Sequence, residues 1–520
     1  MTGGQISKDY IVRNYSITSV SRGLGIASGV LLDALIMFYF GLSKETDAFF
    51  VALAVPFLIG STLEIQIPKV LIPFCMRSLR NDEKEAATYV LSNFISVCAI
   101  LLVSASLLSM GLASIVIPIL VPGFHSDVVS LAAKLGMILS WIMVMQGVGA
   151  TFQSILLSHH KYSVASSTKF ASNILAILVL VIFHQELGIY ALAFGVLAGS
   201  GASFIMTLSA TAVLGYRYKA VWSLNDQRLR QIFKHLLYPL SSHALGECKN
   251  LVENFLLSFL SGGSISALRY ASKIVESFVS IIIGSISASI IPLVSHYAAE
   301  KNVEMMKMSV LKGIKLSLFV AAPLSIWLIF SGESLVMLLF GRGRFSLADA
   351  GLIGGLMSLM VPYIVMSRLS TIMQALFYAT DDTRTPAISA LLTFVINVMV
   401  AFMGIKILGI YVFPIASSAG ALCTAIVMSI LVHRRFGSLG WKSLGSFGIK
   451  FSGVLIVTAF AFMVSVNMRK YVPTETLMEQ LIAFMIPTAL GGGTFVAAAL
   501  LLGVVHRHNW YGLVRPSRVL

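Results

Sequence analysis

Apolar runs of roughly twenty residues follow one another along nearly the whole chain, separated by short polar or charged segments. Runs of that length cross the hydrocarbon core of a bilayer as helices. A transmembrane barrel would show short alternating segments instead, and the sequence has none. About 14 spans are read in this way. They lie at 17–40, 47–76, 88–121, 128–157, 164–184, 188–215, 232–260, 265–296, 308–340, 347–378, 385–405, 410–433, 446–468 and 477–505. Residues 1–15 form a polar, mildly amphipathic lead-in. The first apolar run is too long for a cleaved leader and carries Arg22 and Asp33. The fold class expected is an all-α polytopic membrane protein.

The pattern repeats with an offset of about 220 residues. Val70-Leu71-Ile72-Pro73 recurs as Ser289-Ile290-Ile291-Pro292, each before a polar loop. Thr151-Phe152-Gln153-Ser154-Ile155-Leu156 recurs as Thr371-Ile372-Met373-Gln374-Ala375-Leu376. The following span carries Asn173 in one copy and Asn397 in the other. Units of six spans that begin on the same side of the membrane imply parallel repeats. The expected organisation is a first lobe at 1–216, a cytoplasmic linker at 217–231 and a second lobe at 232–435. Residues 436–520, with the last two spans and a basic tail, have no counterpart. Pro56, Pro68 and Pro73 fall in one span, and Pro239, Pro292, Pro323, Pro362 and Pro414 in or near others. Each removes a backbone hydrogen bond and is expected to bend its helix. Gly491-Gly492-Gly493 is read as a site of close helix packing.

Composition agrees with this picture. Of the 520 residues 57% are hydrophobic and 11% charged, whereas a soluble domain carries about 25% charged residues. The net charge of +15 is not a nucleic-acid signal, because basic residues collect in alternate loops as the positive-inside rule requires. With a cytoplasmic N-terminus, the inside segments hold Lys8 and Arg13, then Arg77, Arg80 and Lys84, then Lys161, and so on to Arg434, Arg435 and Lys442. The tail holds Arg515 and Arg518. This places both termini in the cytoplasm. The four cysteines show no paired spacing, so neither metal nor disulfide chemistry is expected of them. No nucleotide-binding loop is present. His159-His160 reads as a solvated loop, and Asp381-Asp382 before Thr385-Pro386 reads as a turn.

Charges inside the spans are the informative exceptions, since a charge at bilayer depth faces a wet cavity or a partner. Arg22 lies in the first span and Lys69 in the second. Lys249, Arg269 and Lys273 follow in the seventh and eighth. These five are the candidate substrate-binding cations. Asp33, Asp47, Glu64, Glu247, Glu253 and Glu276 are the candidate gate or ion-coupling acids. Lys249 and Glu253 share a helix face at i,i+4, as do His243 and Glu247, and Arg269, Lys273 and Glu276 share another. Asp47 suits an N-cap of the second span, with Thr46 competing, or a gate-packing role. Glu64 and Lys69 flank Pro68 and either pair with each other or line the cavity. The two charged stretches, 21–73 and 241–292, are expected to wall one polar cavity.

Several stretches resemble one family. Ser21-Arg22-Gly23-Leu24-Gly25 followed by Thr46-Asp47-Ala48-Phe49-Phe50-Val51-Ala52 is similar to the start of MurJ-type (MviN-type) lipid flippases. These belong to the multidrug/oligosaccharidyl-lipid/polysaccharide exporter superfamily. Gly263-Ser264-Ile265-Ser266-Ala267-Leu268-Arg269-Tyr270-Ala271 with Lys273, then Phe340-Gly341-Arg342-Gly343-Arg344-Phe345 with Asp349, then Ala379-Thr380-Asp381-Asp382-Thr383-Arg384-Thr385-Pro386 agree in order. The resemblance covers about 1–435. It implies 14 helices in two lobes, alternating access, and no enzymatic activity. The implied cargo is an undecaprenyl-diphosphate-linked saccharide, lipid II first, moved from the cytoplasmic to the periplasmic leaflet of the bacterial inner membrane.

The chain departs from the family where a basic residue usually follows the first motif, here Ala27-Ser28-Gly29-Val30. It departs again after the first proline of span 2, here Pro56-Phe57-Leu58-Ile59-Gly60. Lys273 stands where the family has arginine. The family's cationic cavity is thus only partly retained, through Arg22 and Lys273, with Lys69, Lys249 and Arg269 as compensating positions. Besides lipid II, an exopolysaccharide or O-antigen repeat unit fits these departures. An ion-coupled drug antiporter would need an acidic cavity without the basic residues. No cofactor is expected beyond coupling to Na⁺ or H⁺, and the expected partners are the lipid-linked substrate and membrane lipids, with the protein acting as a monomer.

Overall fold

The computed structural model describes residues 8–80, 84–469 and 477–503. The basic tail after Val505, Lys470 and residues 1–7 of the lead-in lie outside the described residues. Among those described, every regular element is helical. The chain divides into two compact units, one of residues 1–266 with 342–345, the other of 267–341 with 346–520.

The first unit holds α1 (Lys8–Phe40), α2 (Lys44–Arg80), α3 (Lys84–Leu120), α4 (Ser126–Leu139), α5 (Ile142–Ser158), α6 (Tyr162–Leu187), α7 (Ile189–Val213) and α8 (Gln227–Leu257). Its core joins Ile67 and Leu71 of α2, Leu91 and Phe94 of α3, Met143 and Ile155 of α5, and Leu229 and Ile232 of α8. Between α7 and α8 the irregular segment is pinned along α3. There the Asn93 amide donates to the Ser223 carbonyl at 2.7 Å and accepts from the Ser223 N–H at 2.9 Å. Asp226 then caps α8, accepting from the N–H groups of Arg228 and Leu229 at 2.8 and 3.3 Å.

The second unit holds α9 (Ser264–Ala299) from Ala267 onward, α10 (Val303–Phe340), α11 (Leu347–Leu359), α12 (Val361–Tyr378), α13 (Arg384–Leu408), α14 (Val412–Phe436), α15 (Trp441–Arg469) and α16 (Leu477–Leu501). Met306, Val310 and Ile314 of α10 pack with Ile372 and Leu376 of α12 and with Met428 and Val432 of α14. Phe451 and Val454 of α15 and Ala498 of α16 close on Phe319 of α10. Gly491 of α16 leaves no room for a β-carbon beside the Phe462 ring of α15, in keeping with close packing there.

Among the described residues, with α4–α5 and α11–α12 each taken as one interrupted passage, sixteen α-helices make fourteen passages. Among the described residues, eleven stretches are apolar and long enough to cross a membrane, one of which, Arg384–Phe436, contains both α13 and α14.

Two of the expected spans, 128–157 and 347–378, are each interrupted near the middle, the second at Pro362, where a bend was expected. Each has a local cause. At the first, Ser140 turns its hydroxyl onto the Gly136 carbonyl at 2.7 Å, and its own carbonyl is taken by Ser106 of α3 at 2.9 Å. At the second, Pro362 has no N–H to continue the ladder, and the Leu359 carbonyl accepts from Ser418 of α14 at 3.1 Å. A neighbouring serine thus satisfies a freed carbonyl in both places. The other prolines do not interrupt: α2 runs continuously through Pro56, Pro68 and Pro73.

The internal repeat also extends to backbone detail. α6 and α13 both end on a glycine of positive φ, Gly188 at 54° and Gly409 at 56°, a conformation open to glycine and strained for other residues. Gly199 lies over the Ser172 carbonyl where α7 crosses α6, and Gly420 lies over the Thr393 carbonyl where α14 crosses α13.

Candidate functional site

The first unit contains a polar cavity of about 250 Å³. α1 brings Arg22 to it and α2 brings Glu64. α5 contributes Gln146 and Gln153, and α6 contributes Tyr162 and Lys169. Serine and threonine hydroxyls of α6 and α7 line part of the remainder, and Met145, Leu157 and Phe204 give it an apolar side. Among the described residues, Arg22, Glu64 and Lys169 form no ion pair.

Small residues of α1 position this wall. A β-carbon on Gly25 would meet the Lys169 side chain at 3.4 Å, and one on Gly29 would meet the Asn173 amide at 3.3 Å. Asn173 donates to the Gly25 carbonyl and to the Ser28 hydroxyl, both at 3.1 Å. Close approach of α1 and α6 therefore sets Arg22 and Lys169 near the same opening. Lys169 is the eighth residue of α6, about 10 Å along it at 1.5 Å per residue.

Of the sequence-derived candidates, Arg22 and Glu64 meet in this cavity. Lys69 does not pair with Glu64; it is exposed and donates to Gln66 one turn earlier at 2.9 Å. On α8, Lys249 and Glu253 form the expected i,i+4 pair at 3.2 Å. His243 and Glu247 turn to other partners. The His243 ring meets the Thr62 hydroxyl of α2 at 3.1 Å, and Glu247 accepts from Asn250 at 2.8 Å. Asp33 is buried on α1. On α9, Arg269 is half-buried, and Lys273 and Glu276 are exposed.

Asp47 caps a different helix from the one the sequence suggested. α2 starts at Lys44, and Ser43 accepts from the Thr46 N–H at 3.2 Å. The Asp47 carboxylate instead receives the Gly263 N–H at 2.6 Å and the N–H and hydroxyl of Ser266, each at 2.8 Å. It is 1% exposed and satisfies the first turn of α9, where unpaired N–H groups favour an anion.

Asp382 forms the turn expected of it. It accepts from the N–H groups of Arg384 and Thr385 at 3.1 and 3.0 Å and pairs with Arg435 of α14. The backbone bond from Thr385, then its hydroxyl and Arg435, hold this carboxyl below the usual aspartate range.

A family model described as lipid II flippase MurJ matches residues 36–485. The chain belongs to the MurJ lipid II flippase family. A probable lipid II flippase MurJ of Aquifex aeolicus (strain VF5) is 28% identical over 397 residues, covering 75% of this chain and 77% of that relative. One of Buchnera aphidicola subsp. Baizongia pistaciae (strain Bp) is 23% identical over 509 residues, covering 95% and 96%. A solved lipid II flippase MurJ in an inward closed conformation superposes with a TM-score of 0.76 at 20% identity, over 97% of this chain and all of that one. At that identity the superposition establishes the fold. Membership of the MurJ family makes this protein a transporter rather than an enzyme, as the sequence motifs implied.

Sequence reasoning missed Lys169, Gln146 and Gln153. Lys169 had a visible signal, a lysine within the apolar run 164–184. Gln153 showed only its recurrence as Gln374 in the repeat, and Gln146 showed nothing, because a single carboxamide in a span is as often a helix-packing contact as a cavity wall.

Proposed function

We propose that this protein moves lipid II from the cytoplasmic to the outer leaflet of the bacterial inner membrane by alternating access. The family match across 36–485 carries the reading. The cavity chemistry agrees with it. A diphosphate next to a polyprenyl tail needs a hydrated path with cations, and Arg22 supplies a guanidinium able to bind phosphate oxygens in parallel pairs. Lys249, Arg269 and Lys273 are further candidate contacts along the path, with Lys69 at its margin. Both termini are cytoplasmic and the monomer is the working unit, with the transport lobes dividing in the 217–231 linker. Asp33, Asp47, Glu64, Glu247, Glu253 and Glu276 are the gate and coupling candidates. A proton or Na⁺ moving with the cycle gains about 2.3 kcal/mol per 100 mV of membrane potential.

The test is a flipping assay in proteoliposomes loaded with lipid II. The wild-type protein is expected to expose lipid II to an external probe, and Arg22→Gln to lose most of that activity while unfolding at the wild-type temperature. Absence of lipid II movement by the folded wild-type protein across an imposed proton or Na⁺ gradient refutes the proposal.

A further inference from the structure

Four lysines gather where α15 begins against α10. Lys312 and Lys315 lie one turn apart on α10, and Lys442 and Lys450 lie two turns apart on α15. Lys315 is half-buried and the other three are exposed. Among the described residues none of the four forms an ion pair. The acids of α10 are Glu304, which pairs with Lys307 at 2.6 Å, and Glu333, five turns beyond Lys315. Neither α15 nor α12, which also packs on α10, has an acid. Asp349 of α11 is engaged in the capping box of its own helix. The one acid of α16, Glu479, lies in its first turn, far along the helix from Phe495, which meets Phe451 of α15.

The lysines sit on a fixed helix start. Lys315 Nζ donates to the Ser443 hydroxyl at 2.8 Å and lies 5.9 Å from the centre of the Phe447 ring. An ammonium has three donors, so two remain. Leu439, just before α15, is 3% exposed in the core of the second unit, and Leu444 packs against the same core. Phe447 stacks on Phe451, which meets Phe319 of α10. Ser446 shares one helix face with Lys442 and Lys450 at i,i+4 spacing, and β-carbons on Gly445 and Gly448 would meet nothing within 4 Å. Preorganised cations therefore border open surface.

Depth narrows what offsets them. At 1.5 Å per residue, Lys315 lies about 38 Å from Phe340 at the far end of α10, and Lys450 about 28 Å from Arg469 at the far end of α15. The hydrocarbon core is about 30 Å thick. The two lysines thus bracket the layer that holds lipid phosphates. Below Lys450, Ile449, Ile456, Phe460 and Met463 form an exposed apolar stripe along α15, a lane for an acyl chain.

We propose that the start of α15 and the facing turn of α10 bind an anionic phospholipid, with Lys315 and Lys450 on its phosphate and Lys312 and Lys442 at the outer edge of its headgroup. The bound lipid ties α15 to α10. Under the orientation proposed above it belongs to the cytoplasmic leaflet, where anionic headgroups attract basic segments. The site itself depends neither on that orientation nor on transport.

The test titrates the full chain, purified in a mild non-ionic detergent, with phosphatidylglycerol or phosphatidylcholine. Native mass spectrometry reads the affinity for the first lipid bound. The wild-type protein is expected to prefer phosphatidylglycerol by at least about tenfold. Lys315→Gln and Lys450→Gln should each weaken phosphatidylglycerol binding about fivefold and together about 25-fold, with phosphatidylcholine unaffected. Lys315→Arg should keep the wild-type affinity. Lys406→Gln removes an exposed lysine of α13 outside the site and should change nothing. Equal wild-type affinity for the two lipids overturns the proposal. So does an unchanged lipid preference in the double variant, or a loss in Lys406→Gln as large as in Lys450→Gln.

Thermal unfolding gives a second reading. Phosphatidylglycerol should raise the melting temperature of the wild-type protein and raise that of the double variant less. An equal rise in both overturns the proposal. Lys450 is exposed, so Lys450→Gln tests the site without disturbing packing. Both measurements are made without a transport step, so a failure of lipid II flipping leaves their outcome intact.

Discussion

Replacing Asp47 by alanine removes an anion that organises the start of α9. Three donors lose their acceptor: the Gly263 N–H at 2.6 Å and the Ser266 N–H and hydroxyl at 2.8 Å each. A hydrogen bond to a charged group contributes about 1.5–3 kcal/mol, which bounds the gross loss at about 5–9 kcal/mol. Removing the carboxylate also relieves its own burial cost, several kcal/mol for a group 1% exposed. The net destabilisation expected is about 3 kcal/mol.

Asparagine should fall between. Its carbonyl oxygen can take the position of Oδ1, which serves both Ser266 donors, while its NH₂ then faces the Gly263 N–H donor to donor. Ser266→Ala alone removes one of the three bonds, worth about 1.5–3 kcal/mol. In an Asp47→Ala background it should cost almost nothing. The assay is a double-mutant cycle by reversible denaturation of the full chain in mild detergent, with hydrogen exchange at Gly263 and Ser266 as the local readout. Two results refute the reasoning: an Asp47→Ala cost below about 0.5 kcal/mol, or an equal cost of Ser266→Ala in both backgrounds.

Two further predictions concern packing and acid stability. Gly195→Val drives a β-carbon to 2.8 Å from the Ala176 carbonyl and should destabilise the protein by about 1–3 kcal/mol, whereas Gly201→Ala, with open space around it, should be neutral or slightly stabilising in the same melt. The lowered Asp382 carboxyl contributes stability that is fully present above its ordinary value of 3.8 and lost as pH falls through the lower folded value. Melting temperature should therefore drop on acidification below pH 3.8, and Asp382→Asn should flatten that part of the profile.

Much of the molecule was legible from residue types alone. The spans followed from apolar runs, and the repeat from matched motifs. It returned in the structure as Gly188 and Gly409, with nearly identical φ. The Lys249–Glu253 pair and the Asp382 turn were also readable, because both depend on residues within one turn of each other. Arg22 was flagged by its depth in an apolar segment. The same rule applied to Lys169, a lysine within the apolar run 164–184, would have found it too.

What the sequence determined by itself was which segments leave water, where they end and which side chains are anomalous there. Each residue's preference between water and hydrocarbon acts locally and leaves a periodic trace. What only the tertiary structure decided was the choice of partners. Asp47 satisfies a helix start 216 positions away. His243 turns from Glu247 to Thr62, and Lys69 from Glu64 to Gln66. Lys169 becomes a cavity residue because α6 packs on α1, where Asn173 bonds the Gly25 carbonyl and the Ser28 hydroxyl. These outcomes depend on the distance between helix surfaces, and that distance is set jointly by residues far apart in the chain.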